Sequence, residues 1–289
     1  MQIDSAHVGT RLSTHFAAVD WRWMTNYAAA VGDANPCYFD DTRNAGIVAH
    51  PVFPVAVTWP VTLHLDRYLE GSTFPVELMA MQVHHSEHLA LHRPIRPGQR
   101  LTVAGTVAAI RPHRAGSRVI LRYDASDQDG QAVFTEHIGG LLRGVACTDE
   151  GRGLRDLPPE PPPAPEGPPL WEAPVAVDPL FSYRYDAGSG IVFPIHTSPA
   201  FARSVGLPGI IVQGTATLAL AASELVNREA GGDPQRIEAL ACRFTGMVLP
   251  GATIRVVLQH RAGENLFFEV RDSEEKRVLS RGQARLKSR

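Results

Sequence analysis

The sequence predicts an α+β protein built from two copies of one unit, each a helix wrapped by an antiparallel sheet. A loop pattern occurs twice, as GDANPCYF at residues 32–39 and as GIVFPIHT at residues 190–197. A proline-rich segment separates the two copies, and the same order of elements follows each loop. Because both halves share this order, a duplicated domain is the economical explanation.

The helices are predicted to differ between the halves. Residues 215–229, TATLALAASELVNRE, are rich in Ala and Leu, contain neither Gly nor Pro, and are followed by Gly231 and Gly232. This composition predicts one buried helix with a glycine stop signal. The equivalent run in the first half contains Pro54 and Pro60, which kink or break a helix, so we expect a shorter or irregular element there.

Strands are predicted wherever apolar residues alternate between turn signals. The segments with this pattern are 100–110, 118–126, 132–145, 253–261, 266–273 and 278–287. In each half a Pro-Gly pair precedes a strand, in HRPIRPGQRLTVAGTV and in TGMVLPGATIRVVLQH. Residues 84–88 spell H-x-x-E-H, a zinc signature that works only on a helix. Their repeat partner, residues 237–244, has no such ligands, so we predict a half-exposed strand and no metal site.

The clearest boundary is the proline-rich segment at residues 157–174, LPPEPPPAPEGPPLWEAP. Repeated proline removes backbone donors and favours extended polyproline II, so the segment is neither a helix nor a central strand. It is typical of a semi-rigid linker. The predicted domains are an amino-terminal domain at 1–150, a linker at 151–174 and a carboxy-terminal domain at 175–289.

Composition excludes several classes of function. The net charge of −2 and the pI near 6.6 provide no basic surface for nucleic acid. Neither a signal peptide nor an apolar run of about 18 residues is present, so we expect a soluble cytoplasmic protein with no membrane partner. The three cysteines are far apart in sequence, which favours reduced thiols over disulfides or a zinc site.

Residues 27–41, residues 195–214 and the two Pro-Gly strand entries resemble the MaoC-like, R-specific enoyl-CoA hydratase family in its double hot-dog form. The resemblance covers nearly the whole chain apart from the linker. It implies two tandem hot-dog domains, each a long helix wrapped by a curved antiparallel sheet, with the sheets joined side by side. It also implies an acyl thioester as ligand, on coenzyme A or an acyl carrier protein, and no separate cofactor. An acyl carrier protein partner and a homodimer are both left open.

The family's active loop reads roughly Gly-Asp-x-Asn-Pro-x-His, and the resemblance places its catalytic histidine at His196. It places Gly214 where a glycine amide faces the thioester carbonyl, with Gln213 and Thr215 beside it as substrate-binding candidates. Gln213 stands where the family usually has histidine. Ile191 stands where the family has its carboxylate, and isoleucine can neither donate nor accept a proton.

Residues just upstream are candidates to replace this carboxylate. Asp186 could swing toward the loop, as could Tyr183 or Tyr185. Asp33 and Asn35 belong to the first copy of the loop and are further candidates for substrate binding. However, corresponding loops of two side-by-side copies should serve separate clefts, and Asp and Asn in such turns commonly bond local backbone amides.

The resemblance implies addition of water across the 2,3 double bond of a thioester. This reaction needs proton-handling groups in fixed geometry and backbone donors for the enolate-like oxygen. Our first hypothesis is therefore a hydratase or dehydratase with His196 as acid/base and the Gly214 amide as oxyanion donor. The segment between Pro54 and Pro60 would widen the acyl tunnel. The alternatives are a catalytically silent thioester-binding or scaffolding protein and a thioesterase.

Overall fold

The structure is a computed structural model that describes residues 1–69, 71–153, 155, 157–165 and 167–288. The helices are α1 (Trp21–Val31), α2 (Pro36–Phe39), α3 (Pro54–Leu63), α4 (Leu65–Tyr68), α5 (Phe181–Ser189), α6 (Pro199–Ser204) and α7 (Gly214–Glu229). The strands of the first half are β1 (Gln2–Ile3), β2 (Arg11–Ala18), β3 (Gln82–Leu91), β4 (Arg100–His113), β5 (Gly116–Ser126), β6 (Ala132–Arg143) and β7 (Ala146–Cys147). Those of the second half are β8 (Trp171–Ala176), β9 (Ile237–Phe244), β10 (Thr253–Ala262), β11 (Asn265–Arg271) and β12 (Arg277–Leu286).

One antiparallel sheet runs through both halves, in the order β2-β4-β5-β6-β3-β9-β12-β11-β10-β8. Each half contributes five strands in the described part of the chain, and the halves meet where β3 pairs with β9. Strands β1 and β7 form a separate parallel pair. The predicted strands are thus confirmed, and the two sheets are joined side by side as expected.

The predicted helix at 215–229 is confirmed as α7, which is buried along most of its length. Ala and Leu on all sides suit a helix surrounded by protein, since neither leaves a polar group unpaired. The helix ends at a glycine pair with positive φ, and the Gly232 amide donates to the Val226 carbonyl at 2.9 Å. This bond satisfies one of the carbonyls that a helix end leaves open.

The irregular helix predicted for the first half is also confirmed. Pro54 occupies the first turn of α3, where a missing N–H costs nothing, and Pro60 lies inside the helix. Helix α3 ends three residues after Pro60, and the short helix α4 follows directly. The first half therefore has two short helices where the second half has one long helix.

Helices α1 and α5 pack against each other at equivalent positions of the two copies. Tyr27 and Tyr185 are equivalent residues of the two copies, 158 residues apart; both are fully buried, and their hydroxyls share a hydrogen bond of 3.0 Å. A Cβ atom on Gly188 would lie 2.5 Å from the Cβ of Ala30 and 2.7 Å from the carbonyl oxygen of Asn26. Glycine at 188 is therefore what allows the two helices to approach so closely.

Residues 84–88 and the proline-rich linker are two segments for which the sequence makes specific predictions. Residues 84–88 lie in β3, which confirms the predicted strand. The predicted end of the linker is wrong, because β8 already begins at Trp171 and the second sheet starts there rather than at 175. Pro174 is tolerated in β8 because this is an edge strand, for which the described part of the chain provides one pairing partner, β10. No helix in the described ranges is long and apolar enough to cross a membrane.

Candidate active site at the start of helix α7

His196 ends a short 3₁₀ turn, Pro194–His196, and is anchored to the segment that leads into α7. Its Nδ1 atom lies 2.8 Å from the Ile211 carbonyl oxygen, and the Ile211 amide donates to the Ile195 carbonyl at 3.2 Å. Since a carbonyl only accepts, Nδ1 carries the proton and Nε2 carries a lone pair. Burial lowers the pKa of His196 to about 4, so the imidazole is neutral at pH 7. The Nε2 atom is therefore able to accept a hydrogen bond or a proton.

The first turn of α7 presents unused backbone donors. The amides of Ala216 and Thr217 turn back to the Gln213 carbonyl, each at 3.1 Å. The amides of Gly214 and Thr215 have no acceptor among the described residues, and Gln213 provides no side-chain cap. A helix amino terminus favours negative charge because its free N–H groups and its dipole point the same way. These two amides can therefore stabilise an anionic oxygen.

Gly214 also meets the inner face of the sheet. A Cβ atom at this position would lie 3.1 Å from Cδ1 of Phe244 on β9, which is closer than almost all ordinary contacts of this kind. The ring of Phe244 in turn packs on that of His84 on β3, with 4.5 Å between ring centroids. The start of α7 thus lies above the seam between the two half-sheets.

Gln213 and Thr215 are buried and engaged in internal hydrogen bonds. Gln213 Nε2 donates to the Ser182 carbonyl at 3.2 Å, and the Tyr185 hydroxyl donates to Thr215 Oγ1 at 3.2 Å. Both contacts hold the first turn of α7 against α5. Gln213 Oε1 is buried and has no partner among the described residues. The assignment of both residues to substrate binding stays a prediction.

The position of the family carboxylate is filled by hydrocarbon. Ile191 is only 2% exposed and belongs to the main hydrophobic core. Asp186 lies on α5, where burial raises its pKa and where its Oδ2 has no partner in the described part of the chain. Across the same residues, His196 makes no hydrogen bond or ion pair with a carboxylate. The site therefore has one imidazole and no acidic partner bound to it.

The first copy of the loop closes its own turn and docks elsewhere. Asp33 Oδ1 accepts from the Asn35 amide at 3.0 Å, and Asn35 Oδ1 accepts from the Cys37 amide at 2.9 Å. The Asn35 Nδ2 group donates to Asn227 Oδ1 at 3.0 Å and to the Gly232 carbonyl at 2.8 Å. Asp33 and Asn35 therefore act on local backbone and on the carboxyl end of α7.

The two loops are far apart because they lie at opposite ends of one helix. Asn227, the partner of Asn35, follows Gly214 by thirteen residues in α7. At 1.5 Å per residue this distance is about 20 Å. Asp33 consequently cannot share a proton with His196, and the two loops serve separate places, as the repeat predicted.

His50 is a residue that the sequence reasoning missed. Aligning Gly46 with Gly209 places His50 opposite Gln213, so the histidine absent from the second half is present in the first. Its Nδ1 accepts from the Val52 amide at 3.1 Å, which leaves Nε2–H to donate to Ser223 Oγ on α7 at 3.2 Å. It is 1% exposed, and burial lowers its pKa to about 4 although nearby Asp33 acts in the opposite direction.

The same alignment places Pro51 opposite Gly214, and proline has no N–H to offer an oxyanion. The cavity beside His50 and Pro51 has a volume of about 30 Å³. This is room for about one water molecule, and far less than a ligand site needs. The space beside His50 is thus too small for a ligand, and the first half lacks the backbone donor that Gly214 provides in the second half.

Two family models match the chain, a MaoC-like domain over residues 161–281 and the dehydratase domain region of the FAS1-like type over residues 6–136. The carboxy-terminal half of the chain therefore contains a MaoC-like domain. The 3-hydroxyacyl-thioester dehydratase Y of Mycobacterium tuberculosis is 32% identical to it over 184 residues, which are 62% of each sequence. This MaoC-like chain thus matches less than two thirds of the length of that relative.

Solved structures support the same fold. A MaoC-like dehydratase from Phytophthora capsici superposes with a TM-score of 0.85 at 22% identity, with 97% of both chains covered. A Mycobacterium tuberculosis protein described as a double hot-dog superposes with a TM-score of 0.62 at 13% identity, with 96% of both chains covered. The MaoC-like chain is therefore a double hot-dog protein, as the sequence predicted.

Proposed function

We propose that this protein catalyses the reversible hydration of a 2-enoyl thioester to the 3-hydroxyacyl thioester at the amino terminus of α7. The observation that carries the proposal is the neutral imidazole of His196, whose Nδ1–H is held by the Ile211 carbonyl and whose Nε2 is left as a base. The free amides of Gly214 and Thr215 provide the second requirement, which is stabilisation of a developing oxyanion. The name of the Mycobacterium relative supports this reaction class.

A single imidazole can perform both proton transfers in turn. In hydration, His196 Nε2 takes a proton from water as the water oxygen bonds to C3, and the electron pair of the double bond moves to the thioester oxygen. The amides at the start of α7 bind that negative oxygen. The imidazolium then returns its proton to C2, which restores the thioester and the neutral base. The reverse sequence expels the 3-hydroxyl as water, so no second carboxylate is required.

A second candidate function is thioester binding without turnover. It is favoured by one observation, the buried Ile191 where the family has a carboxylate. Both functions predict that a thioester binds at the start of α7, and only hydration predicts that the double bond is consumed.

The test is an assay of the purified protein with crotonyl-CoA and with longer 2-enoyl-CoA thioesters. We expect the conjugated enoyl absorbance to fall to an equilibrium value and no thiol to be released. Calorimetric binding without loss of absorbance would support the silent binding protein, and stoichiometric thiol release would support a thioesterase. An absence of turnover with every chain length would contradict the proposal.

A further inference from the structure

The proline-rich linker crosses the outer face of the sheet and covers a cavity there. The cavity has a volume of about 310 Å³ and lies between linker residues 157–161 and the strands on both sides of the seam. On β5, Val119 and Leu121 face the hydrophobic core, so the alternate residues Arg118 and Ile120, which line the cavity, face the opposite side. The cavity is therefore remote from α7 and separate from the site described above.

Glu160 of the linker is bound by arginines from both halves of the molecule. Its Oε1 accepts from Arg111 at 3.0 Å and from Arg118 at 2.8 Å, and its Oε2 is bound by Arg243 of β9. These cations lower the pKa of Glu160 to about 2 although its partial burial opposes them. The linker is thus fixed across the seam by one carboxylate among three guanidinium groups.

The positive groups around the cavity exceed what Glu160 can satisfy. The guanidinium groups of Arg111, Arg118 and Arg243 face one charged carboxylate, that of Glu160. Arg118 is only 3% exposed, and its Nε has no partner among the described residues. A buried guanidinium with an unmatched N–H carries a large cost unless a ligand or water fills the place.

Further unpartnered nitrogens line the same cavity. Within the described ranges, Arg243 Nε, His88 Nδ1 and both ring nitrogens of His137 are buried without a hydrogen-bond partner. Nitrogens of this kind are donors in arginine and can be donors in histidine. They come from three different strands and converge on one space. The Glu160 carboxylate offers only two oxygens. A group with more oxygens is needed to accept hydrogen bonds from all of these nitrogens.

We propose that this cavity is a binding site for a small phosphate-bearing anion, held by Arg118 and Arg243, with Glu160 as a built-in competitor. Phosphate oxygens match the forked donors of arginine in number and direction. A volume of 310 Å³ accommodates a pyrophosphate or a small phosphate ester. When the anion binds, it takes over donors that Glu160 uses and loosens the linker over the seam.

The test is isothermal titration of the full chain with pyrophosphate, inorganic phosphate and glutarate at low ionic strength. We expect pyrophosphate to bind more tightly than glutarate and to weaken as salt is added. Glu160→Gln should tighten pyrophosphate binding about tenfold, because the competing charge is gone. Arg118→Gln and Arg243→Gln should each weaken it at least tenfold.

The control is Arg122→Gln, on the same strand, because Arg122 pairs with Asp124 and does not line the cavity. Its affinity should equal that of the wild type, and circular dichroism establishes that each variant is folded. If neither the wild type nor Glu160→Gln binds pyrophosphate, the cavity holds only water and the proposal is wrong. Equal affinity for glutarate would overturn the phosphate assignment, and an unchanged affinity in folded Arg243→Gln would overturn the site.

Discussion

The two copies of the loop pattern share one sequence pattern but make different contacts in the structure. In the second half, His196 is bonded to the Ile211 carbonyl, and the amides of Gly214 and Thr215 have no acceptor among the described residues. In the first half, Tyr38 occupies the place of His196, Pro51 occupies the place of Gly214, and the loop is closed against α7. The difference teaches that one copy of a duplicated loop can keep its histidine while the other copy becomes a structural support for the same helix.

The first half supports helix α7 through direct hydrogen bonds. Asn35 binds the last turn of α7 and the residues that follow it, and His50 binds Ser223 in its middle. Asp33, Asn35 and His50 are thus retained as polar residues whose hydrogen bonds are with backbone or with the neighbouring half. Retention of such residues does not require that they act on a ligand.

The largest expected effect comes from replacing, in separate variants, the side chains at the equivalent positions 196 and 38 of the two loops. His196→Ala should lower kcat for enoyl hydration by about 10²- to 10⁴-fold, the usual contribution of an acid/base group. Tyr38→Phe is the matched control at the equivalent position, because the Tyr38 hydroxyl is buried and has no partner among the described residues. It should change kcat by about twofold or less and leave the fold intact. Equal losses in both variants would contradict the assignment of the site.

The Gly214 amide can be tested by replacing Gly214 with proline, the residue at the equivalent position of the first half, Pro51. Gly214→Pro removes one of the two free amides at the start of α7, where proline fits the first helical position. We expect kcat to fall about 10²- to 10³-fold relative to Gly214→Ala, the usual effect of losing one oxyanion donor. Alanine keeps the amide and makes the same close contact with Phe244. If the two variants are equally active, the amide plays no part.

The sequence could predict much of this asymmetry, but not its geometry. Helix α7, the broken α3 and the strands follow from local composition and alternation, and Ile191 was recognised because it stands in a repeated loop. The docking of Asn35 on Asn227 could not be predicted, because it joins residues 192 apart through the packing of two domains. His50 had a signal in the alignment of Gly46 with Gly209, and β8 was hidden by the prolines around it.

A smaller effect is expected where α1 and α5 cross. Gly188→Ala should lower the free energy of unfolding by about 1–3 kcal/mol, because the new methyl would overlap Ala30 and the Asn26 carbonyl. Adding Ala30→Gly, at the equivalent position of the first copy, should recover part of this loss by removing one of the two overlaps. Urea unfolding of the three proteins measures both effects. A single variant as stable as the wild type would show that the helices can separate freely.

The smallest effect within a single pH unit is the pH dependence that His50 contributes to stability. Native His50 stays neutral down to about pH 4, whereas the unfolded chain takes up a proton near pH 6.5. The unfolded state then binds more protons, so stability falls as the pH drops from about 6.5 to 4, by at most about 1.4 kcal/mol per pH unit. His50→Gln should make this slope shallower in urea titrations. A slope unaffected by His50→Gln would show that folding does not lower the pKa of His50.

The central claim is that a thioester binds at the His196 end of α7 and not at the end near Asn35. The direct measurement is a crystal structure with the amide analogue of crotonyl-CoA, in which NH replaces sulfur and the carbonyl is kept. We predict its carbonyl oxygen about 3 Å from the Gly214 or Thr215 amide, with His196 Nε2 within about 3 to 3.5 Å of C2 or of a water at C3. A ligand held beside Asn35 and His50, or away from both ends of α7, would contradict the account.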